Sequence, residues 1–197
     1  METLRSVVIV LFTLFAVIFA TNVQAFNIYR IGSEIRGKEY NDASKKWLDR
    51  SFSVWVGIDE DKTEFVYFMG DSSASGVATV MVVNSENVRA RLETAVSKAI
   101  EWSEIARKNK ADGGKSLGCF GDCSAYGGNR MGFSFFAANS GKQTDLVIKM
   151  VDVDNQSITA YMCVELSEMV KLLEVVKGIN EAMGKARDSA SKQGLFK

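Results

Sequence analysis

Cys119 and Cys123 are the residues whose type and spacing point most directly to chemistry. They lie four positions apart in a glycine-rich stretch that is flexible enough to close a small ring. Such a pair favours a disulfide, and closing so short a loop shapes the loop more than it stabilises the fold. A redox-active pair is the alternative, although thioredoxin-type sites have two intervening residues and begin a helix. Cys163 lies in an apolar run, so we expect it to be a packed core thiol.

The chain contains no histidine. This absence excludes Ser-His and Cys-His nucleophilic pairs, histidine general bases and nearly all catalytic zinc sites. Catalysis by carboxylates or by a Ser-Lys pair remains open, and Asp71 and Asp152 are the candidate carboxylates for a small hydrolase. The sequence therefore favours a binding protein over an enzyme.

Two loop motifs are incomplete. Gly113–Ser116 resembles the end of a phosphate-binding loop, but Asn109 stands where that motif needs its first glycine. Asp152–Asn155 has the carboxylate spacing that opens a calcium loop, but Ser157 and Cys163 replace the glycine and glutamate of an EF-hand. We expect the first segment to be a surface loop and the second a solvated turn, with no cofactor and no metal bound. Weak calcium binding is the alternative for the second.

The charges of the chain are balanced, with 24 Lys plus Arg residues and 24 Asp plus Glu residues. Nucleic-acid-binding proteins usually show a basic excess or a basic stripe. The composition therefore gives no support for nucleic acid as a partner.

The amino-terminal segment has the three-part pattern of a secretory signal peptide. Arg5 precedes an apolar run from Val7 to Ala20, and Val23 and Ala25 place small residues before a cleavage point. We predict a signal peptide at residues 1–25 and export to the periplasm or the extracellular space. The alternative is a retained anchor, which is the only case in which we expect membrane contact. A purified chain that begins at Phe26 would exclude this anchor.

Hydrophobic periodicity predicts six strands and two helices. The strands lie at 51–58, 64–70, 77–83, 132–138, 144–151 and 157–164. One helix spans Ser85 to Lys108, and the second begins near Ser167. The order is strand-strand-strand-helix, twice. Laying residues 51–107 on 132–188 without a gap pairs Phe52 with Phe133 and Leu92 with Leu173.

These patterns predict an α+β two-layer sandwich. A duplicated β-β-β-α unit would form a six-stranded, mainly antiparallel sheet with two helices on one face. Residues 26–50 would be an amino-terminal lid segment, and 51–197 a single duplicated domain with halves at about 51–110 and 131–188. The predicted helix-covered face contains these residues: Phe52, Val54, Val56, Phe65, Tyr67, Met69, Val77, Met81, Val83, Phe133, Phe135, Ala137, Leu146, Ile148, Met150, Ile158, Met162 and Val164.

The opposite face of the predicted sheet is mixed, and Asp145 on it is expected in water. Four aromatic residues on this face form our candidate binding face, namely Trp55, Phe68, Phe136 and Tyr161. Exposed apolar patches of this size are rare in monomers. We therefore expect the face to be covered, either by the amino-terminal lid or by a protein partner or a second copy of the chain.

The segment Gly113 to Asn129 is predicted as a long connection between the two halves. Such loops are often functional, and this one carries the cysteine pair and a candidate exposed aromatic pair, Phe120 and Tyr126. The alternative is a plain linker between duplicated halves. We predict an exported, non-catalytic binding or interaction protein that uses the mixed face, the furrow between the helices, or this loop. The alternatives are the secreted hydrolase and a membrane-anchored envelope component.

Overall fold

The computed structural model describes residues 27–59, 61–72, 76–124 and 128–194. The predicted signal peptide and Tyr126 lie outside these ranges. The described chain is α+β, as predicted from the sequence, with one antiparallel sheet and three helices. Its elements in chain order are β1 (Asn27–Asn41), β2 (Lys46–Ile58), β3 (Glu64–Asp71), β4 (Val77–Val83), α1 (Glu86–Asn109), β5 (Gly113–Gly121), β6 (Arg130–Ala138), β7 (Gln143–Val151), β8 (Thr159–Glu165), α2 (Leu166–Lys177) and α3 (Ile179–Gly194).

The sheet has eight strands in the order β4-β3-β2-β1-β8-β7-β6-β5, so the prediction of six strands is wrong. All six predicted strands are present, and β1 and β5 are the two additional ones. The stretch 26–50, which was expected to form a lid, supplies β1 and the start of β2. Likewise, β5 occupies the first half of the segment that was predicted to be a long loop. Backbone pairing with β2 and β6, rather than apolar patterning, makes these two segments strands.

Helix α1 has clear start and stop signals. The Ser85 hydroxyl accepts a hydrogen bond from the Val88 N–H at 3.2 Å and caps the first turn. Lys110 adopts a left-handed conformation at the other end, with φ of 51°, and ends the helix there. Every third or fourth residue of α1 is buried. These buried residues are Leu92, Ala95, Val96, Ala99, Ser103 and Ala106.

The sheet is strongly curled, and its inner face forms one continuous core with the helices. A Cβ added to Gly70 of β3 would lie 3.0 Å from Met150 Sδ of β7, although three strands separate β3 from β7 in the sheet order. The concave surfaces of the two halves therefore face each other. Helix α1 packs on the same side, where the Trp102 and Phe135 rings meet edge to face at 5.7 Å.

The two halves of the sheet meet at β1 and β8, where the described residues contain a single registered pair, Lys38 with Cys163. The neighbouring strands on either side are paired over most of their length. We call this boundary between β1 and β8 the seam. Backbone pairing is therefore sparser at the seam than between β1 and β2 or between β7 and β8.

The first half of the predicted covered face is partly wrong. In the structure Phe52 pairs with Gly70 and Val54 with Phe68, so even-numbered residues of β3 face the core. Tyr67 instead lies beside Trp55 on the outer face. The same shift moves the predicted residues Phe65, Met69, Val77, Met81 and Val83 to the outer face. The predicted face of β6 and β7 agrees with the structure, because Phe133, Phe135, Leu146, Ile148 and Met150 are all buried.

Candidate functional site

A cavity of about 780 Å³ lies at the seam, and we call it the seam cavity. One wall comes from the β1–β2 hairpin through Lys38, Trp47 and Asp49. The opposite wall comes from the first residues of β7 and the last residues of β8. The Trp47 ring is 51% exposed and meets the Tyr40 ring edge to face at 5.4 Å. This wall therefore offers an aromatic surface to whatever enters the cavity.

Asp145 is the most unusual group in the cavity wall, because it is a carboxylate that is only 4% exposed. Its Oδ2 atom accepts a hydrogen bond from Gln143 Nε2 at 2.9 Å. Burial raises the pKa of Asp145 above that of an ordinary aspartate, and the charge of Glu165 acts in the same direction. Glu165 is the residue directly opposite Asp145 on β8. The sequence placed Asp145 in water, which is wrong.

Glu165 is held by a cation across the seam. Lys38 Nζ of β1 donates to Glu165 Oε1 of β8 at 3.4 Å. Both side chains are more than half exposed, so the ion pair contributes little to stability. Its structural role is to direct the Glu165 carboxylate toward β1.

Cys163 also lines the cavity, half-buried beside Lys38. It lies on the outer face of β8, whereas the sequence predicted a packed core thiol. Burial raises the pKa of the Cys163 thiol to about 11, with Asp145 adding to the shift. A thiol with this pKa is protonated at neutral pH, so Cys163 is not an activated nucleophile.

Thr144 directly precedes Asp145 on β7, and it faces the opposite way. It pairs with the buried Ala137 and is only 2% exposed. Its Oγ1 atom has no hydrogen-bond partner in the described part of the chain. A buried hydroxyl without a partner usually costs free energy.

The two carboxylates that the sequence offered for catalysis both have structural roles. Asp71 Oδ2 accepts hydrogen bonds from the Ser51 N–H at 2.7 Å and from its hydroxyl at 3.1 Å. Asp152 is buried and accepts from the Thr79 N–H at 2.7 Å. It also accepts from the N–H groups of Asp154 and Asn155. Neither carboxylate lines the seam cavity.

The four residues of the candidate binding face do not form one patch. Phe68 is fully buried in the core, on the other side of the sheet from Trp55. The Trp55 ring is flanked by the Arg30 guanidinium at 6.0 Å, and its Nε1 donates to Ser53 Oγ. Phe136 and Tyr161 are exposed, but they pair with Asp145 and Lys149 of β7, four residues apart.

The cysteine prediction is confirmed, because Cys119 and Cys123 lie at disulfide distance with Cα atoms 5.9 Å apart. Phe120 between them is buried, not exposed, and meets Phe133 edge to face at 5.4 Å. Arg91 of α1 closes the other side of the Phe120 ring at 5.1 Å. Phe120 is therefore not part of an exposed aromatic pair, and Tyr126 lies outside the described residues.

The furrow between the helices was also named from the sequence as a contact surface. Helices α1 and α2 pack directly together, with Ser103 Oγ 4.0 Å from Met169 Sδ, which fills the expected furrow at that point. Within the described ranges, no cluster of three metal-ligating side chains occurs. No helix there is long and apolar enough to cross a membrane.

The raised pKa of Asp145 predicts a pH-dependent stability difference. A carboxyl group whose pKa is higher in the folded protein favours folding at pH values below its ordinary pKa. That contribution is lost as the pH rises through the raised value. Asp145→Asn keeps the shape and removes the charge, so it should stabilise the protein more at pH 7 than at pH 3. Urea unfolding at both pH values measures this difference.

Asp49→Asn is the matched control, because Asp49 is an exposed carboxylate in the same cavity. Its effect on the free energy of unfolding should differ little between the two pH values. An equal effect of both substitutions at each pH would show that Asp145 is not desolvated in the folded protein.

Sequence reasoning missed the seam cavity because its residues come from β1, β2, β7, β8 and both neighbouring helices. The local signal was a carboxylate, Asp145, directly before the apolar run Leu146–Ile148 of β7. Comparison with known proteins supplies no further assignment. No family model matches the chain, and no curated protein or solved structure shows significant similarity to it.

Proposed function

We propose that this chain is an exported, non-catalytic protein that binds a small molecule in the seam cavity. The observation that carries the proposal is the cavity itself, whose volume of about 780 Å³ is in the range of small-molecule sites. Its wall combines an exposed aromatic ring with a few buried polar groups, Trp47 with Thr144 and Asp145. Most of the other residues that line the cavity are polar or charged.

Export is supported by two features that are independent of the cavity. The apolar amino-terminal run has the pattern of a cleaved signal peptide. The cysteine pair lies at disulfide distance, and disulfides persist mainly in oxidising compartments. The intact mass of the protein purified from its host tests this part, since a chain that begins at Phe26 has been processed.

The fold behind the cavity is best explained as a duplication of a β-β-β-β-α unit, arranged as a curved sheet with helices on its inner side. The element order runs through four strands and a helix twice, the second helix being broken at Gly178. Buried residues of α1 recur at one constant spacing in α2 and α3. The pairs are Leu92 with Leu172, Ala95 with Val175, Val96 with Val176, Ala99 with Ile179, Ser103 with Met183 and Ala106 with Ala186. On this inference the seam cavity lies where the two copies join.

Blocking the cavity tests the binding proposal. Val170 is an exposed residue of α2 in the cavity wall, so Val170→Trp should fill the space without disturbing the core. Native mass spectrometry against a small-molecule library should find a one-to-one complex with the unmodified protein. We expect Val170→Trp to weaken that complex at least about tenfold through steric exclusion.

Glu174→Trp is the matched control, because Glu174 is exposed on the same helix and does not line the cavity. It should leave the complex unchanged. The proposal fails if no molecule binds, or if both tryptophan substitutions weaken binding equally.

A small secreted hydrolase is the second candidate, and one observation favours it. Asp145 and Glu165 are directly opposed carboxylates in a concave site, and the pKa of Asp145 is raised. A pair of neighbouring carboxyl groups in which one pKa is raised is typical of sites that use a general acid. The same mass spectra separate the two functions, because a hydrolase would release a cleaved molecule and Asp145→Asn would stop the cleavage.

A protein partner or second copy on the mixed sheet face stays a prediction. Phe136 and Tyr161 remain exposed there, at 42% and 40%. Because Trp55 and Phe68 do not join them, this surface is smaller than the sequence suggested.

A further inference from the structure

The walls of the seam cavity carry charges of both signs. Three of the lining side chains can only donate hydrogen bonds, namely Lys38, Arg107 and Lys142. Three are acids, which only accept hydrogen bonds when they are ionised, namely Asp49, Asp145 and Glu165. The cavity therefore offers donors and acceptors in equal number and has no excess of either charge.

These opposite charges lie close to one another. Lys38 pairs with Glu165 across the seam. Burial raises the pKa of Asp145 and the charge of Glu165 adds to the rise, whereas Lys38 and Arg107 act to lower it. Both signs of charge are thus felt at the same carboxyl group. A charged ligand would meet a like charge beside each opposite one, and a wholly apolar ligand would bury these groups without new partners.

Trp47 gives the cavity an exposed apolar surface. Its ring is about half exposed, and Tyr40, its partner on β1, meets it edge to face. Such a cross-strand contact stabilises the position of the ring. The face of an aromatic ring carries partial negative charge, so it attracts the weakly positive C–H groups of a ligand. This wall therefore fits a ligand that presents a flat surface of C–H groups.

A sugar ring combines the properties that these two features require. Each hydroxyl group both donates and accepts hydrogen bonds, so it can bind a cation on one side and a carboxylate on the other without carrying charge. The ring also presents C–H groups on one face. A phosphate offers the cavity mainly acceptors and an ammonium group only donors, so each of them matches one set of charges and opposes the other.

We propose that the seam cavity binds a neutral saccharide, with the C–H face of a sugar ring on Trp47 and its hydroxyl groups hydrogen-bonded to the charged side chains around it, Asp49 and Lys142 among them. The assignment names the ligand class of the site under Proposed function and rests on that proposal. Val170 lines the same cavity, so Val170→Trp should exclude the sugar as well.

Neutral sugars titrated into the ¹⁵N-labelled protein test this assignment. The probes are glucose, galactose, mannose and N-acetylglucosamine, with the disaccharides cellobiose and lactose. Sorbitol is the reference, because it carries similar hydroxyl groups but forms no ring. We expect the indole N–H resonance of Trp47 to shift with at least one sugar and not with sorbitol. The proposal is overturned if no sugar shifts this resonance, or if sorbitol shifts it equally.

Charged forms of the bound sugar test its neutrality. For glucose these are glucuronate, which carries a carboxylate, and glucosamine, which carries an ammonium group. Each meets a like charge in the cavity, so we expect both to bind at least about threefold more weakly than the neutral sugar, the order of a surface charge interaction. Equal or tighter binding of either form would contradict a neutral ligand.

Substitutions of Trp47 test the aromatic contact, with binding followed through the backbone amide of Gln143. Trp47→Ala should weaken sugar binding at least about tenfold, because the ring contact is lost. Trp47→Phe keeps an aromatic face and should retain most of the affinity. Ile105→Ala is the matched control, since Ile105 is also a large exposed apolar residue but does not line the cavity. Equal effects of the two alanine variants would show that Trp47 does not contact the sugar.

The polar contacts are tested by removing one donor or one acceptor. Lys142→Ala and Asp49→Ala should each weaken sugar binding about three- to tenfold, the range of one ordinary hydrogen bond. Lys108→Ala is the control, because Lys108 is exposed and does not line the cavity. A loss for only one of the two cavity variants would indicate a ligand that uses charge of one sign, and the saccharide assignment would be wrong.

The failure of this proposal can be told apart from the failure of the binding function. If no sugar binds, while a library molecule of another class binds and is excluded by Val170→Trp, the saccharide assignment is wrong and the binding function stands. If no sugar and no library molecule binds, both proposals fall.

Discussion

Replacing Phe68 with alanine should lower the free energy of unfolding by about 3–5 kcal/mol, the usual cost of removing a large aromatic side chain from a core. Phe68 has no exposed surface and lies between Val54 and Val80 on the inner face of the sheet. Its removal leaves a cavity that surrounding strands on both sides prevent from collapsing. Urea denaturation followed by circular dichroism measures the loss.

Phe136→Ala is the matched control, since Phe136 is also a sheet phenylalanine but is 42% exposed on the outer face. It should change the free energy of unfolding by only about 0.5 kcal/mol. Similar losses for the two variants would contradict the pairing of β3 with β2. Such a result would indicate that Phe68 lies on the outer face, beside Trp55.

The face of β3 could not be predicted from its own sequence. From Phe65 to Met69 every residue is apolar, so alternation does not distinguish the two faces. The face is then fixed by register, and register depends on the turn that joins β2 to β3. A shift of one residue moves every side chain to the opposite side. Strands β6 and β7, in which small or polar residues interrupt the apolar ones, were assigned correctly.

The two missed strands had a different cause. β5 begins Gly113-Gly114-Lys115-Ser116 and has almost no apolar pattern. β1 carries charged residues at intervals and changes register between Ile31 and Ile35. Both segments are strands because a neighbouring strand supplies their backbone hydrogen bonds. That neighbour is not visible in the local sequence.

The helix start at Ser85 and the cysteine pair were predicted well because both depend on residues close together in the chain. The seam cavity could not be predicted in this way. Asp145 is buried only because β8 lies beside it and the β1–β2 hairpin lies across the seam. The sequence alone gives no sign that residues near 47 and near 145 approach each other.

Asp152→Ala should lower the free energy of unfolding by about 3 kcal/mol, because hydrogen bonds to a charged acceptor contribute about 1.5–3 kcal/mol each and the bonds here share one side chain. Asp152 joins two regions that are far apart in the sequence. Its carboxylate accepts from Thr79 N–H of the edge strand β4, and the Val153 N–H returns a hydrogen bond to Thr79 O at 2.8 Å. Asn129 adds a second connection between the same two regions, because its side chain forms hydrogen bonds with the N–H and the C=O of Met81.

Asp154→Ala is the control for Asp152→Ala. It distinguishes the loss of the Asp152 hydrogen bonds from a general effect of removing an acidic residue from this turn. The Asp154 side chain is exposed, so its removal should cost about 0.5 kcal/mol or less. If Asp152→Ala costs no more than Asp154→Ala, the edge of β4 is not held by this carboxylate. If it costs the expected amount while ligand binding in the folded variant is unchanged, Asp152 is a structural residue. Its spacing from Asp154 then reflects a turn that holds the curled sheet together.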